Sequence, residues 1–151
     1  MRHKTKKLGS KSEGCPLKML MSIKSVFADK IMGGIKIYEH RQTIPKQAVS
    51  GVIVHSSSPV QCIISEFQIA DIVCGNLAEV WEKTRHYSGI AKEFYLSYFT
   101  DKSTANTIQV TNVKRYRDPA DPYDIIPGFR APQSFSYLDG ATYSLLTKGA
   151  I

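Results

Sequence analysis

No apolar run in this chain approaches the roughly 18 residues that a membrane span requires. No apolar stretch of secretory length follows the basic N-terminus either. With no span and no signal peptide in the pattern, the expected location is the cytoplasm. Cysteine is scarce: Cys15, Cys62 and Cys74 are odd in number and form no CxxC. His3, His40, His55 and His86 are scattered, without the spacing of metal ligands. We therefore expect reduced thiols, no metal site and no cofactor. There is no internal repeat.

Positive charge is also scarcer in most of the chain than its total implies. The 151 residues carry 20 Lys and Arg against 13 Asp and Glu, a formal +7. Residues 1–18 hold Arg2, Lys4, Lys6, Lys7, Lys11 and Lys18 against a single acid, Glu13. The rest is nearly balanced, so net charge alone does not make it a nucleic-acid binder. Residues 1–18, rich in Lys, Gly and Ser without a hydrophobic period, read as a disordered basic arm able to add phosphate contacts. They read equally as an extended start, since Met19-Leu20-Met21 would itself open a domain.

What remains, residues 19–139, has the length and composition of one domain. Residues 19–24 are an apolar strand candidate. Val26, Phe27, Lys30 and Ile31 fall at helical spacing, and Gly33-Gly34 supplies a stop. Residues 35–41, 52–55 and 60–73 then read as strands. The period changes at Leu77, Val80, Trp81 and Thr84, spaced i, i+3, i+4, i+7, which predicts a helix with one buried stripe and Asn76 as its N-cap. Trp81 in that register is a core residue rather than a stacking platform. Residues 87–89 break this helix, and Ile90, Phe94, Tyr95, Tyr98 and Phe99 form a second short amphipathic one. Strands return over 105–116 and 134–138, separated by a proline-rich loop, and residues 140–151 read as a loose tail. The fold class is mixed α/β, mainly β. Many short strands with a helical insertion suggest a small barrel flanked by about three short helices, not alternating βαβ units.

The densest polar cluster is Gly34-Ile35-Lys36-Ile37-Tyr38-Glu39-His40-Arg41, where a helix end passes into a strand. On a pleated strand Glu39 and Arg41 share a face, and the long stem of Lys36 reaches the same opening. Lysine and arginine hold phosphate or carboxylate, and a neighbouring glutamate orients them or accepts a proton. Read from the residues alone, the trio also fits an exposed ion pair worth only ~0–1 kcal/mol. Gln133-Ser134, after Pro132, offers amide and hydroxyl groups for reading a base edge, or simply starts a strand. Lys114, Arg115 and Arg117 form a basic stretch that either borders the cleft or is a solvated strand end.

The strand MLMSIK, a helix ending in Gly, and then GIKIYEHR resemble the opening signature of ASCH domains, with their Gly-x-Lys-x-x-Glu-x-Arg pattern. The segment AEVWEKTRHYSGIAKEFYLSYF is similar to the two-helix insertion of one ASCH branch. The strand end at Val113-Lys114-Arg115-Tyr116 and the closing Pro132-Gln133-Ser134-Phe135-Ser136-Tyr137 also resemble that branch. The resemblance spans roughly residues 19–138. It implies a PUA-like β-barrel with a cleft between barrel and helices, lined by the signature residues Lys36, Glu39 and Arg41, and RNA or a nucleotide as ligand; Tyr38, Gln133 and Ser134 complete the candidate ligand-binding set. Some relatives are hydrolases. One branch deacetylates acetylated cytidine with a Lys, a Thr three residues later and an acid between the helices. Here Lys36 matches the Lys, but Glu39 stands at the Thr position and Ser88 at the acid position, so hydroxyl and acid are exchanged. Lys36, Glu39 and Ser88 are thus the candidate catalytic residues for that reaction, and a metal-independent ribonuclease is a further possibility within the family. A transcription-coregulator-like module, contacting a protein partner through tail and exposed helices, is the third reading.

Overall fold

Met19, Leu20 and Met21 are all buried because β1 (Lys18–Ile23) lies inside a sheet with a strand on either side. The computed structural model describes residues 17–151. The expected basic arm therefore lies outside the described residues, apart from Lys18, which opens β1. Strand β1 pairs in parallel with β3 (Val52–Ser56) and antiparallel with β6 (Phe135–Leu138). Parallel neighbours need a crossover, supplied here by helix α1 (Ser25–Met32) and strand β2 (Tyr38–Arg41). The longest ladder joins β4 (Cys62–Asn76) to β5 (Thr104–Ala120), and the sheet order is β2-β5-β4-β3-β1-β6.

Alternation along these strands divides the core. Met19, Met21, Val52 and Val54 pack on one face with Ala28 and Ile31 of α1. Leu20 and Ile53 point the other way, against Leu146 and Ala150. A third cluster lies under the helical insertion between β4 and β5, namely α2 (Leu77–Thr84), a 3₁₀ turn (Arg85–Tyr87) and α3 (Lys92–Tyr98). As the sequence predicts, Asn76 caps α2, accepting from the Glu79 amide at 2.9 Å. Trp81 is core, its ring centroid 4.8 Å from that of Tyr95.

Three expectations need correction. The strand order is linear, with β2 and β6 as edges, so the backbone ladder does not close into a barrel. Both edge strands are only four residues long. They meet through a side chain instead, the Arg41 guanidinium donating to the Ser134 carbonyl at 3.3 Å. Second, the predicted strand over 35–41 begins only at Tyr38. The amides of Ile35 and Lys36 both donate to the Lys30 carbonyl, so these residues close the end of α1. Third, the tail is not loose. Residues Gly140–Thr147 form α5, capped by Asp139 accepting from the Thr142 amide at 2.8 Å. Its Tyr143 hydroxyl reaches the Glu66 carboxylate at 2.7 Å. With α4 (Pro122–Ile125) in the proline-rich loop, the described residues hold five α-helices, two more than expected. No helix among them is long and apolar enough to cross a membrane.

Candidate ligand-binding site

Gly34, with φ +80, turns the chain sharply after α1 and delivers Lys36 inward. The aliphatic stem of Lys36 then lies on Gly89, where an added Cβ would fall 3.0 Å from the Lys36 Cβ. Gly89 itself has φ +69, so this position suits glycine twice over, in backbone and in space. The break between α2 and α3 thereby makes room for the lysine. Two carbonyls of that break hold ammonium groups: Ser88 O accepts from Lys36 Nζ at 2.6 Å, and Gly89 O from Lys30 Nζ at 2.8 Å.

From Lys36 a chain of alternating charges runs along the cavity wall. Lys36 Nζ lies 3.6 Å from Glu39 Oε1, and Glu39 Oε2 lies 2.9 Å from an Arg41 guanidinium nitrogen. Arg41 also donates to the Ser134 hydroxyl at 2.9 Å and to the Ser22 carbonyl at 3.3 Å. Lys36, Glu39 and Arg41 are 2%, 5% and 8% exposed, so this is a buried triad and not a surface ion pair. Burial pushes the Lys36 ammonium below its ordinary lysine pKa, with Lys30 and Arg41 adding to the lowering and Glu39 opposing it. Both Glu39 oxygens are engaged, whereas Arg41 Nε is buried without a partner.

A cavity of about 410 Å³ opens on this triad. Of the predicted residues, Lys36, Glu39, Arg41 and Gln133 line it. Ser134 stands behind, tied to Arg41. Ser88 contributes its carbonyl; its hydroxyl is buried, without a partner, and is not part of the lining. Tyr38 is also outside the lining. Lys114, Arg115 and Arg117 are exposed along β5 and border no part of it.

Sequence reasoning missed the opposite wall. It is apolar: Phe27 from α1, with Ile90, Phe94 and Tyr98 from the break and α3. The amphipathic reading of α3 places Phe94 and Tyr98 in a single buried stripe with Tyr95 and Phe99. The i, i+4 pairing of each couple was the available signal for two stripes. Lys24, just ahead of α1, completes the rim. Among the described residues no group of three or more His, Cys, Asp or Glu side chains is placed to hold a metal ion.

No family model matches the chain. It is 30% identical over 121 residues to ATP synthase subunit alpha of Ureaplasma parvum serovar 3, and 29% identical over 99 residues to that organism's large ribosomal subunit protein uL22. The matches take in 80% and 64% of this chain but span only 15% and 31% of those two relatives. A Zymomonas mobilis protein named ASCH domain-containing ribonuclease is 28% identical over 122 residues, which is 79% of this chain and 82% of that protein. The crystal structure of ASCH from Zymomonas mobilis superposes with a TM-score of 0.82 at 23% identity, covering 89% of this chain and 96% of the other. The chain has the ASCH fold. A crystal structure of a singly substituted form of the Zymomonas ASCH protein superposes equally well, at a TM-score of 0.82. Within the ASCH fold of this chain, Lys36, Glu39 and Arg41 face the same opening as Gln133, nearly a hundred positions away in sequence.

Proposed function

We propose that this ASCH domain binds RNA or a nucleotide in the cavity, with Lys36 and Arg41 as the anion-holding groups. Glu39 bridges the two cations and fixes their spacing. Gln133 on the rim is the polar group that reads the ligand, and Ser134 steadies Arg41. The convergence of Lys36, Arg41 and Gln133 on one opening carries this reading. Charge-assisted hydrogen bonds from a buried guanidinium and ammonium suit a phosphate, and the name of the Zymomonas relative fits RNA as the polymer. The reach of Arg41, at the end of β2, to Ser134, just ahead of β6, fits a PUA-like fold in which side chains and not a backbone ladder join the two edges.

Removing one member of a buried triad leaves an uncompensated charge, so the test uses two variants. Lys36→Ala with Arg41→Ala should weaken single-stranded RNA binding by about 10- to 100-fold. Gln133→Ala, on the exposed rim, should weaken it with the melting temperature unchanged. Affinity unaltered in both, measured by fluorescence anisotropy on folded protein, removes the cavity from RNA binding.

The second reading is a metal-independent ribonuclease, favoured by the name of the Zymomonas relative. In it Lys36 and Arg41 stabilise charge on the phosphate. Deacetylation of acetylated cytidine fits less well, because Lys36 addresses the Ser88 carbonyl and not its hydroxyl. Incubating unstructured RNA and acetylated cytidine with the protein in chelator, followed by mass analysis, separates the two. The adaptor reading loses the tail it relied on, now helix α5 packed on the sheet.

A further inference from the structure

The apolar wall of the cavity has no role in holding an anion, and its composition is specific. Helix α3 turns Tyr95 and Phe99 into the core, as a surface helix ordinarily does. Phe94 and Tyr98 line the cavity, Tyr98 while also packing against that core, edge-on to Phe99 at 4.8 Å. Phe94 is 41% exposed although it lines a concavity, so much of its ring surface is available to a ligand. Its aromatic neighbour Phe27 meets it edge-on, with ring centroids 5.4 Å apart and planes at 75°. Phe27 is itself engaged by the Lys36 ammonium, 5.3 Å from its centroid.

Facing this wall, the lining carries Lys24, Lys36 and Arg41 against the single acid Glu39, a surplus of positive charge. The ligand that satisfies both walls has one flat apolar face and one anionic group. About 410 Å³ is at the small end of ligand sites, which run ~300–1,000 Å³. A base already paired and stacked in a duplex cannot enter such a cavity, whereas an unstacked one meets it with a free π-face.

We infer that the cavity takes a single unpaired nucleotide, its base lying against Phe94 and Tyr98 and its phosphate turned to Lys24, Lys36 and Arg41. This rests on the nucleotide-binding reading above and adds to it a stacking wall and a preference for single strands. Stacking on an aromatic ring tolerates any base, so the wall selects strandedness and not sequence.

The test measures binding of a nucleoside monophosphate, a short single-stranded RNA, the same RNA with abasic positions, and a duplex of equal length. Wild-type protein should prefer the intact single strand over the abasic strand and the duplex. Phe94→Ala should weaken the single strand on the order of 10- to 100-fold, and Phe94→Trp should restore it. Phe94 is 41% exposed and outside the buried core clusters, so both variants should fold, and affinity is compared on protein shown folded by its melting transition. If the single strand binds but Phe94→Ala and the abasic strand make no difference, the stacking wall is refuted while phosphate binding at Lys36 and Arg41 stands. Loss of affinity with Gln133→Ala but not with Phe94→Ala likewise refutes the wall and leaves phosphate binding in place. If neither the mononucleotide nor the strand binds the wild-type chain, the nucleotide reading and the stacking wall fall together.

Discussion

His40, between Glu39 and Arg41, borders the cavity and also packs on the aromatic core, T-stacked on Tyr95 at 5.0 Å, with Nδ1 2.7 Å from the Thr107 hydroxyl. Burial, helped by the charge of Lys36, pushes its pKa from 6.5 down to about 3. Between those values the unfolded chain binds a proton that the folded one refuses, so stability falls as pH drops through that window. His55, also buried and also lowered by desolvation, acts in the same direction. His40→Asn retains an amide for Thr107 and cannot titrate. Its loss of unfolding free energy between pH 6.5 and 3 should be smaller than wild type's, by on the order of 2–4 kcal/mol. Urea titrations at several pH values check this, and identical slopes would mean that His40 is charged in the folded protein.

At the scale of elements, α5 shows how much packing a short sequence stretch conceals. Leu146 and Ala150 are buried against Leu20, Ile53 and Ile63, and Tyr143 reaches Glu66. Leu146→Ala should therefore cost about 2–5 kcal/mol in denaturant unfolding, and a loss below ~0.5 kcal/mol would return the segment to a loose tail. Sequence missed this helix because Gly140 and Gly149 bracket it and its apolar residues do not form a clean stripe. The Asp139 cap, three residues before Thr142, was a legible start signal. By contrast α2 was readable in full, because its stripe and its Asn76 cap agree with each other. The cationic half of the site was legible because Lys36, Glu39 and Arg41 are close in sequence and strand alternation fixes their shared face. The aromatic half was not: whether Phe94 or Tyr95 is buried depends on which side of α3 meets the sheet, a tertiary choice that periodicity alone leaves open.

At the scale of the whole molecule, the contribution of the basic residues before β1 can be measured apart from that of the buried triad. Deleting residues 2–16 removes Arg2, Lys4, Lys6, Lys7 and Lys11. If these contact the RNA backbone, the log–log salt dependence of strand binding should flatten by roughly 0.7 per lost phosphate contact, while mononucleotide affinity stays as it was. An equal loss for strand and mononucleotide would instead connect the arm to the cavity itself.

The linear strand order leaves β2 and β6 as the two rims of the sheet. Rims are where a foreign chain adds itself as one more strand. Here each rim is four residues long, and the Arg41 guanidinium reaches from one to the approach of the other. Brought together in this way, the rims leave little flat template for intermolecular pairing. A domain whose sheet remains open thus gains much of the protection from self-association that full cylindrical closure would provide.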